Sequence, residues 1–190
     1  MPRAGLTPAV VTSAGAALAD EIGFPGLSMG ALAERLGVKT PSLYKHVGGL
    51  ADLVHRIAVQ TTIELTGAVR DATRGLTGRD ALVAAASAMR AFIKRHPGRY
   101  AAADGVRPGG PDDPFTVAAE EYLRSLAAVL QGYGLDADEE IHALRMMRSM
   151  LHGFVSIELA GGFRFSTDVD VSFTWMIDAV DQGLRRPTVG

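Results

Sequence analysis

Two short helices with almost no chain between them constrain this fold more than any other feature of the sequence. From Met29 to Leu36 the apolar spacing is helical, with Ser28 in the N-cap position and Gly37 as the stop. Thr40-Pro41 then reads as an N-cap followed by proline at the first helical position. This second helix reaches about Val47, where Gly48-Gly49 breaks it. The arrangement is that of a helix-turn-helix. Ala31, Leu32, Ala33 and Leu36 brace the second helix, and the small Ala33 and Gly37 permit close approach and a sharp turn. Leu43 and Val47 stand four apart and face inward. Lys39, Thr40, Ser42, Tyr44 and Lys45 are left to face out. About seven helical residues rise only ~10 Å, the reach of one major groove and no more.

The rest of the chain is helical in spacing, and no strand-like alternation is sustained. A first helix spans Pro8 to Ile22, with Val11, Ala14 and Leu18 on one face and Gly23 at its end. A long helix runs from Leu50 to about Thr73, with Leu50, Leu53, Val54, Ile57, Thr61, Leu65 and Ala68 as its buried stripe. Thr77 with Asp80 resembles a capping pair for the next helix, which reaches about His96 and is ended by Pro97-Gly98. Asp104 to Pro114, rich in Gly, Pro and Asp, reads as a loop. Further helices are expected from about Phe115 to Tyr133, from the Asp136/Glu139 capping pair to about Ala160, and from Val169 to Leu184. The fold class is all-α, with about nine helices. Residues 1–49 form a three-helix domain and residues 50–190 a second helical domain.

Composition narrows the function classes. At 190 residues and 47% apolar, the chain can bury a sizeable core. It has no apolar run of membrane-spanning length and no signal-peptide pattern at its start, so a cytoplasmic protein is expected. With no cysteine it has neither disulfides nor thiolate chemistry. The net charge of −2 argues against a strongly basic, nonspecific nucleic-acid binder. Between Ser28 and Arg56, however, Arg35, Lys39, Lys45 and Arg56 outnumber Glu34 and Asp52 by two. Asp138, Glu139 and His142 share a helical face, yet at a helix start they read as a cap and favourable charges rather than metal ligands. No nucleophile elbow, phosphate loop, dinucleotide fingerprint or His-Glu-x-x-His is present, so neither an enzyme nor a cofactor is expected.

The run LAERLGV from Leu32 to Val38, followed by Leu43, Tyr44, Lys45, His46 and Val47, resembles the DNA-binding domain of TetR-family repressors. There a short recognition helix ends in Leu-Tyr-x-His-Val/Phe. The similarity covers about residues 7–56. It implies that Ser28 caps its helix and bonds a phosphate. It implies that Thr40, Ser42 and Tyr44 meet bases or backbone, that Lys39 and Lys45 add contacts, and that His46 touches a phosphate. Many members carry a lysine near the start of the fourth helix. Here Leu50 stands after Gly48-Gly49, so the helix N-terminus and backbone amides are expected to serve instead. Arg3 is the one cation of the N-terminal arm.

The resemblance also implies an effector pocket and a dimer interface in the C-terminal body. Leu151-His152-Gly153-Phe154, with Glu158 and Gly161-Gly162-Phe163, is similar to a subgroup of TetR-type C-terminal domains marked by a Trp/Leu-His-Gly-Phe stretch. Gly153 inside a helix points to close helix packing. Trp175 lies off the apolar stripe of the last helix and suits an interface. The expected dimer residues are Phe154, Glu158, Phe163, Phe173 and Trp175. The expected effector contacts are Met89, Phe92, Tyr122, Met146, Met147 and Met150, whose methionines adapt to varied apolar shapes. The implied function is a ligand-responsive transcription regulator: a homodimer on double-stranded palindromic operator DNA, released by a small, mainly apolar effector. Two alternatives stay open, a constitutive DNA-binding dimer and an all-α binding protein or enzyme in which the N-terminal module only packs.

Overall fold

The computed structural model describes residues 5–185, so Arg3 lies outside the described residues. Among them the chain forms nine α-helices and no strand: α1 (Pro8–Ile22), α2 (Met29–Leu36), α3 (Thr40–Leu43), α4 (Leu50–Thr73), α5 (Gly78–Arg95), α6 (Pro97–Asp104), α7 (Pro114–Leu130), α8 (Ala137–Leu159) and α9 (Val169–Leu184). The all-α expectation holds. No helix among the described residues is long and apolar enough to cross a membrane.

The chain divides into two compact units. Among the described residues, one comprises residues 5–64 together with Arg95–Ala119, and the other comprises Leu65–Lys94 together with residues 120–185. The compact units therefore do not part after residue 49. The physical reason is that Leu53 and Ile57 of α4 fill the same core as Leu43 and Val47.

In the first unit α1 is the central strut. Thr7 caps it by accepting the Val10 N–H at 3.2 Å. Val11, Leu18 and Ala19 are buried against Leu32, Leu43, Val47, Leu53, Ile57 and Ala102. Two features of this unit differ from the sequence reading. Pro97-Gly98 does not simply end a helix: α5 stops at Arg95 and Pro97 opens α6, because proline at N1 costs the helix no hydrogen bond. Leu50 is 40% exposed at the start of α4 rather than part of its buried stripe.

In the second unit the buried positions include Val69 of α4, Leu82, Met89, Phe92 and Ile93 of α5, Leu126 and Leu130 of α7, Met147, Leu151 and Val155 of α8, and Phe173, Ile177 and Leu184 of α9. Asp136 opens α8 with a complete capping box, its side chain accepting the Glu139 N–H and the Glu139 side chain accepting the Asp136 N–H. A charged cluster ties α5 to α8 and α9. Arg90 grips Glu158 bidentately at 2.7 and 2.8 Å, Lys94 donates to the same carboxylate at 2.5 Å, and Arg90 also meets Asp170 at 2.7 Å. The Arg90 guanidinium lies 4.6 Å over the Phe173 ring.

Two stability measurements follow. The Arg90 hydrogen bond, reinforced by Lys94, holds the Glu158 carboxyl at about 2 against an ordinary 4.5. Because the folded-state value is depressed, the stability it adds is present above pH 4.5 and is lost as pH falls toward 2. Glu158→Gln is expected to destabilise the protein at neutral pH by on the order of 2 kcal/mol and to flatten the acid limb of the stability profile; identical acid limbs in the two proteins would contradict this. Ser28→Ala is expected to cost about 1 kcal/mol in chemical denaturation, the loss of one N-cap; a change within error would count against the cap.

Candidate nucleic-acid interface

Ser28 starts the site. Its extended backbone (φ −147°) turns the chain into α2, and its Oγ accepts the Ala31 N–H at 3.1 Å. At the other end Gly37 adopts the left-handed conformation (φ 64°), and the chain turns through Gly37 and Val38, whose amides bond back to Glu34 and Ala33 carbonyls at 3.0 Å. A side chain at Gly37 would carry a backbone penalty at this turn. The N-cap of α3 is Lys39, not Thr40, because Lys39 keeps extended geometry (φ −78°, ψ 140°) while Thr40 is already helical.

Regular α-helix in α3 ends at Leu43, earlier than the periodicity suggests. The chain continues as a turn in which the amides of His46 and Val47 still bond the Leu43 carbonyl at 2.9 and 3.1 Å. The inward pair is as expected: Leu43 is fully buried and Val47 nearly so. Around them Lys39, Tyr44 and Lys45 are exposed, and Thr40, Ser42 and His46 are half-exposed, with Ser28 also exposed. Tyr44 keeps 56% of its surface open, a large value for an aromatic side chain. All seven residues expected to touch DNA therefore reach solvent.

The local charge is more selective than the sequence count suggests. Arg35 is held by Glu21 through two contacts, one of them 2.8 Å. Arg56 donates Nε to both oxygens of Asp52, at 2.9 and 3.0 Å. Among the described residues, Lys39 and Lys45 make no ion pair, so the net positive charge of this segment sits on the recognition element itself. Asp52 was not singled out in the sequence. Its Oδ2 accepts the Gly48 N–H at 2.8 Å, so one of the amides expected to receive a phosphate is already satisfied. Burial pushes the Asp52 carboxyl up, but the Gly48 amide and the Arg56 guanidinium outweigh it and hold the group below its ordinary value. A signal existed, since Asp52 stands three residues after Gly49 at the usual position for a capping carboxylate.

The C-terminal candidates differ in their surroundings. Met89, Phe92 and Met147 are buried, and Tyr122, Met146 and Met150 are half-buried. The Tyr122 hydroxyl donates to Met89 Sδ at 3.3 Å, joining α7 to α5. Met146 lines a groove of about 200 Å³ between α8 and α9 with Leu135, Ala143, Val180 and Leu184. Of the expected dimer residues, Trp175 is 73% exposed and Phe163 is 38% exposed. Phe173 is instead buried in its own chain, its ring 5.3 Å from Phe154, and Glu158 is consumed by Arg90 and Lys94. A Cβ on Gly153 would meet nothing within 4 Å, so the close helix packing expected there is not made within the described residues. No cluster of three or more His, Asp or Glu side chains able to hold a metal is found among the described residues.

Known proteins share this architecture. Residues 11–57 match the family model of bacterial regulatory proteins of the tetR family, and residues 82–180 match that of the tetracyclin repressor-like C-terminal domain. The HTH-type transcriptional regulator Rv0681 of Mycobacterium tuberculosis is 35% identical over 169 residues, which cover 89% of this chain and 77% of that one. A solved protein of unknown function from Rhodococcus sp. RHA1 superposes with a TM-score of 0.81 at 21% identity, over 97% of this chain and 98% of that one. BioQ, solved with its double-stranded DNA operator, superposes with a TM-score of 0.71 at 20% identity, over 95% of this chain and 99% of that one. TetR-family regulators are DNA-binding proteins rather than enzymes. On the match to both family models and to a relative of this identity, the chain belongs to the TetR family of transcription regulators.

Proposed function

We propose that this protein is a ligand-responsive transcription regulator that reads a palindromic operator as a homodimer. The observation that carries the reading is the set Lys39, Thr40, Ser42, Tyr44, Lys45 and His46, all open to solvent and with neither lysine in an ion pair among the described residues, on a turn anchored by the buried Leu43 and Val47. Thr40, Ser42 and Tyr44 read bases or the adjoining backbone in one major groove. Lys39, Lys45, His46 and Ser28 fix register through phosphates. BioQ, crystallised with its own operator, supports this mode by likeness of fold. The exposed Ile157, Phe163, Val171 and Trp175 of the second unit meet a second copy, and the open space above Gly153 admits a partner helix.

The effector is small and mainly apolar, and its contacts come from Met89, Phe92, Tyr122, Met146, Met147 and Met150, of which Met89 and Tyr122 touch each other. It releases DNA only if it binds one conformation more tightly than the other. A compound that raises the melting temperature without lowering operator affinity would contradict this part of the reading.

The test is selection of duplexes from a random pool by the full-length protein. A palindromic motif is expected, with half-site centres about 34–36 Å apart. Thr40→Ala and Tyr44→Ala should each lose ~1–3 kcal/mol of discrimination at one base position. Lys39→Ala and Lys45→Ala should weaken all sequences alike and each lower the salt slope by about 1 per protomer. Full sequence-specific binding by both Thr40→Ala and Tyr44→Ala would overturn the contact assignment.

A further inference from the structure

A guanidinium carries N–H donors on three nitrogens, and Arg90 of α5 spends only part of that set inside the protein. Its Nε and Nη2 donate to the two oxygens of Glu158 at 2.8 and 2.7 Å. Its Nη1 makes no hydrogen bond among the described residues. The group keeps its charge at any ordinary pH, and its side chain is only 13% exposed. Two rings hold it in place: its central carbon stands 4.6 Å from the centre of the Phe173 ring and 5.8 Å from that of Phe154. A fixed, partly used fork of this kind fits a carboxylate.

The acidic partners of Arg90 are not equivalent. Glu158 is as buried as Arg90 itself, and Lys94 donates to it as well, so this carboxylate belongs to the scaffold. Asp170 lies 2.7 Å from Nη2 but keeps 79% of its side chain open to water. It is a screened partner that costs little to move. Lys94 gives one donor to Glu158 and retains others.

These groups edge a groove of about 410 Å³ that lies wholly within the second unit. Ser87, Arg90, Ala91 and Lys94 line it from one face of α5, and Asp170 and Phe173 line it from α9. Its volume is in the range of small-molecule sites, about 300–1,000 Å³. None of the six expected effector contacts lines it.

We propose that this groove is a second small-molecule site and that it takes a flat organic carboxylate. The ligand carboxylate bonds Arg90 and Lys94 in competition with Asp170, and its apolar body lies along Phe173 and Ala91. A doubly charged anion such as phosphate is disfavoured, because Glu158 and Asp170 stand beside the same cations and the rest of the wall offers it little to bond. The inference does not rest on the DNA-binding reading, since it uses no residue of the first unit.

The test is calorimetric titration of the full-length protein with 2-naphthoate, with 2-naphthamide as its uncharged match and with inorganic phosphate. The naphthoate is expected to bind, and the amide and phosphate at least about tenfold more weakly. Asp170→Asn removes the competing charge and should tighten naphthoate binding about threefold. Arg90→Lys keeps the charge but loses the fork, and should weaken it about tenfold. Should Arg90→Lys not fold, Ser87→Trp carries the comparison: Ser87 is exposed and outside the ion cluster, and a ring there fills the groove and should abolish binding. Equal binding of naphthoate and naphthamide overturns the proposal, as does binding of naphthoate by neither the wild type nor Asp170→Asn. Wild-type affinity in both Asp170→Asn and Ser87→Trp places the ligand elsewhere in the protein and overturns it too.

Discussion

A helix of four residues cannot hold itself together, since closing the first turn fixes several dihedrals for a single hydrogen bond. The recognition element exists because Leu43 and Val47 are locked into a core supplied by its neighbours. Leu32 of α2 closes that core on one side, Val11 and Leu18 of α1 on another, and Leu53 and Ile57 of α4 complete it. Gly15 lets α4 come close, its position lying 3.1 Å from a Leu53 methyl if a Cβ were present. Everything that faces out, from Lys39 to His46, is positioned by these two inward side chains. Specificity in such a site is borrowed from burial elsewhere, and the module stays short enough to enter one groove.

The electrostatics follow the same division of labour. The two arginines of the segment are tied to Glu21 and Asp52 and serve the scaffold. The two lysines of the recognition element carry the net charge outward, which suits a protein whose overall charge is −2 and which must discriminate rather than cling. The Asp52 carboxylate accepts the Gly48 amide and stabilises the turn into α4.

Local signals were readable where local physics decides. Ser28, Gly37, the Asp136/Glu139 box and the inward pair Leu43/Val47 each act through residues within a turn or two, and each stands where the sequence puts it. The failures involve distant partners. Pro97 is equally a stop and a start signal, and the helix it opens lies with Gly98 against the backbone of Ala19, a contact across 79 positions. Asp20 and Arg99 are 79 positions apart, and Arg90 and Glu158 are 68 apart, so no window of sequence pairs them. For the same reason the intrachain partners of Glu158 and the burial of Phe173 are not visible in the sequence. Leu50 matched a helical stripe yet stands at a helix start, before the core begins.

Because the chain contains no cysteine, a single Ser42→Cys substitution offers one attachment point for a thiol-linked photo-crosslinker on the recognition face. With a duplex chosen by the wild-type protein, the label should join DNA at two positions about one helical turn apart, while the same label at Ser87→Cys on α5 should not. A Ser42→Cys protein that binds the duplex but leaves it unlabelled, or that labels it no better than Ser87→Cys does, would show that the outward face of α3 is not what meets DNA.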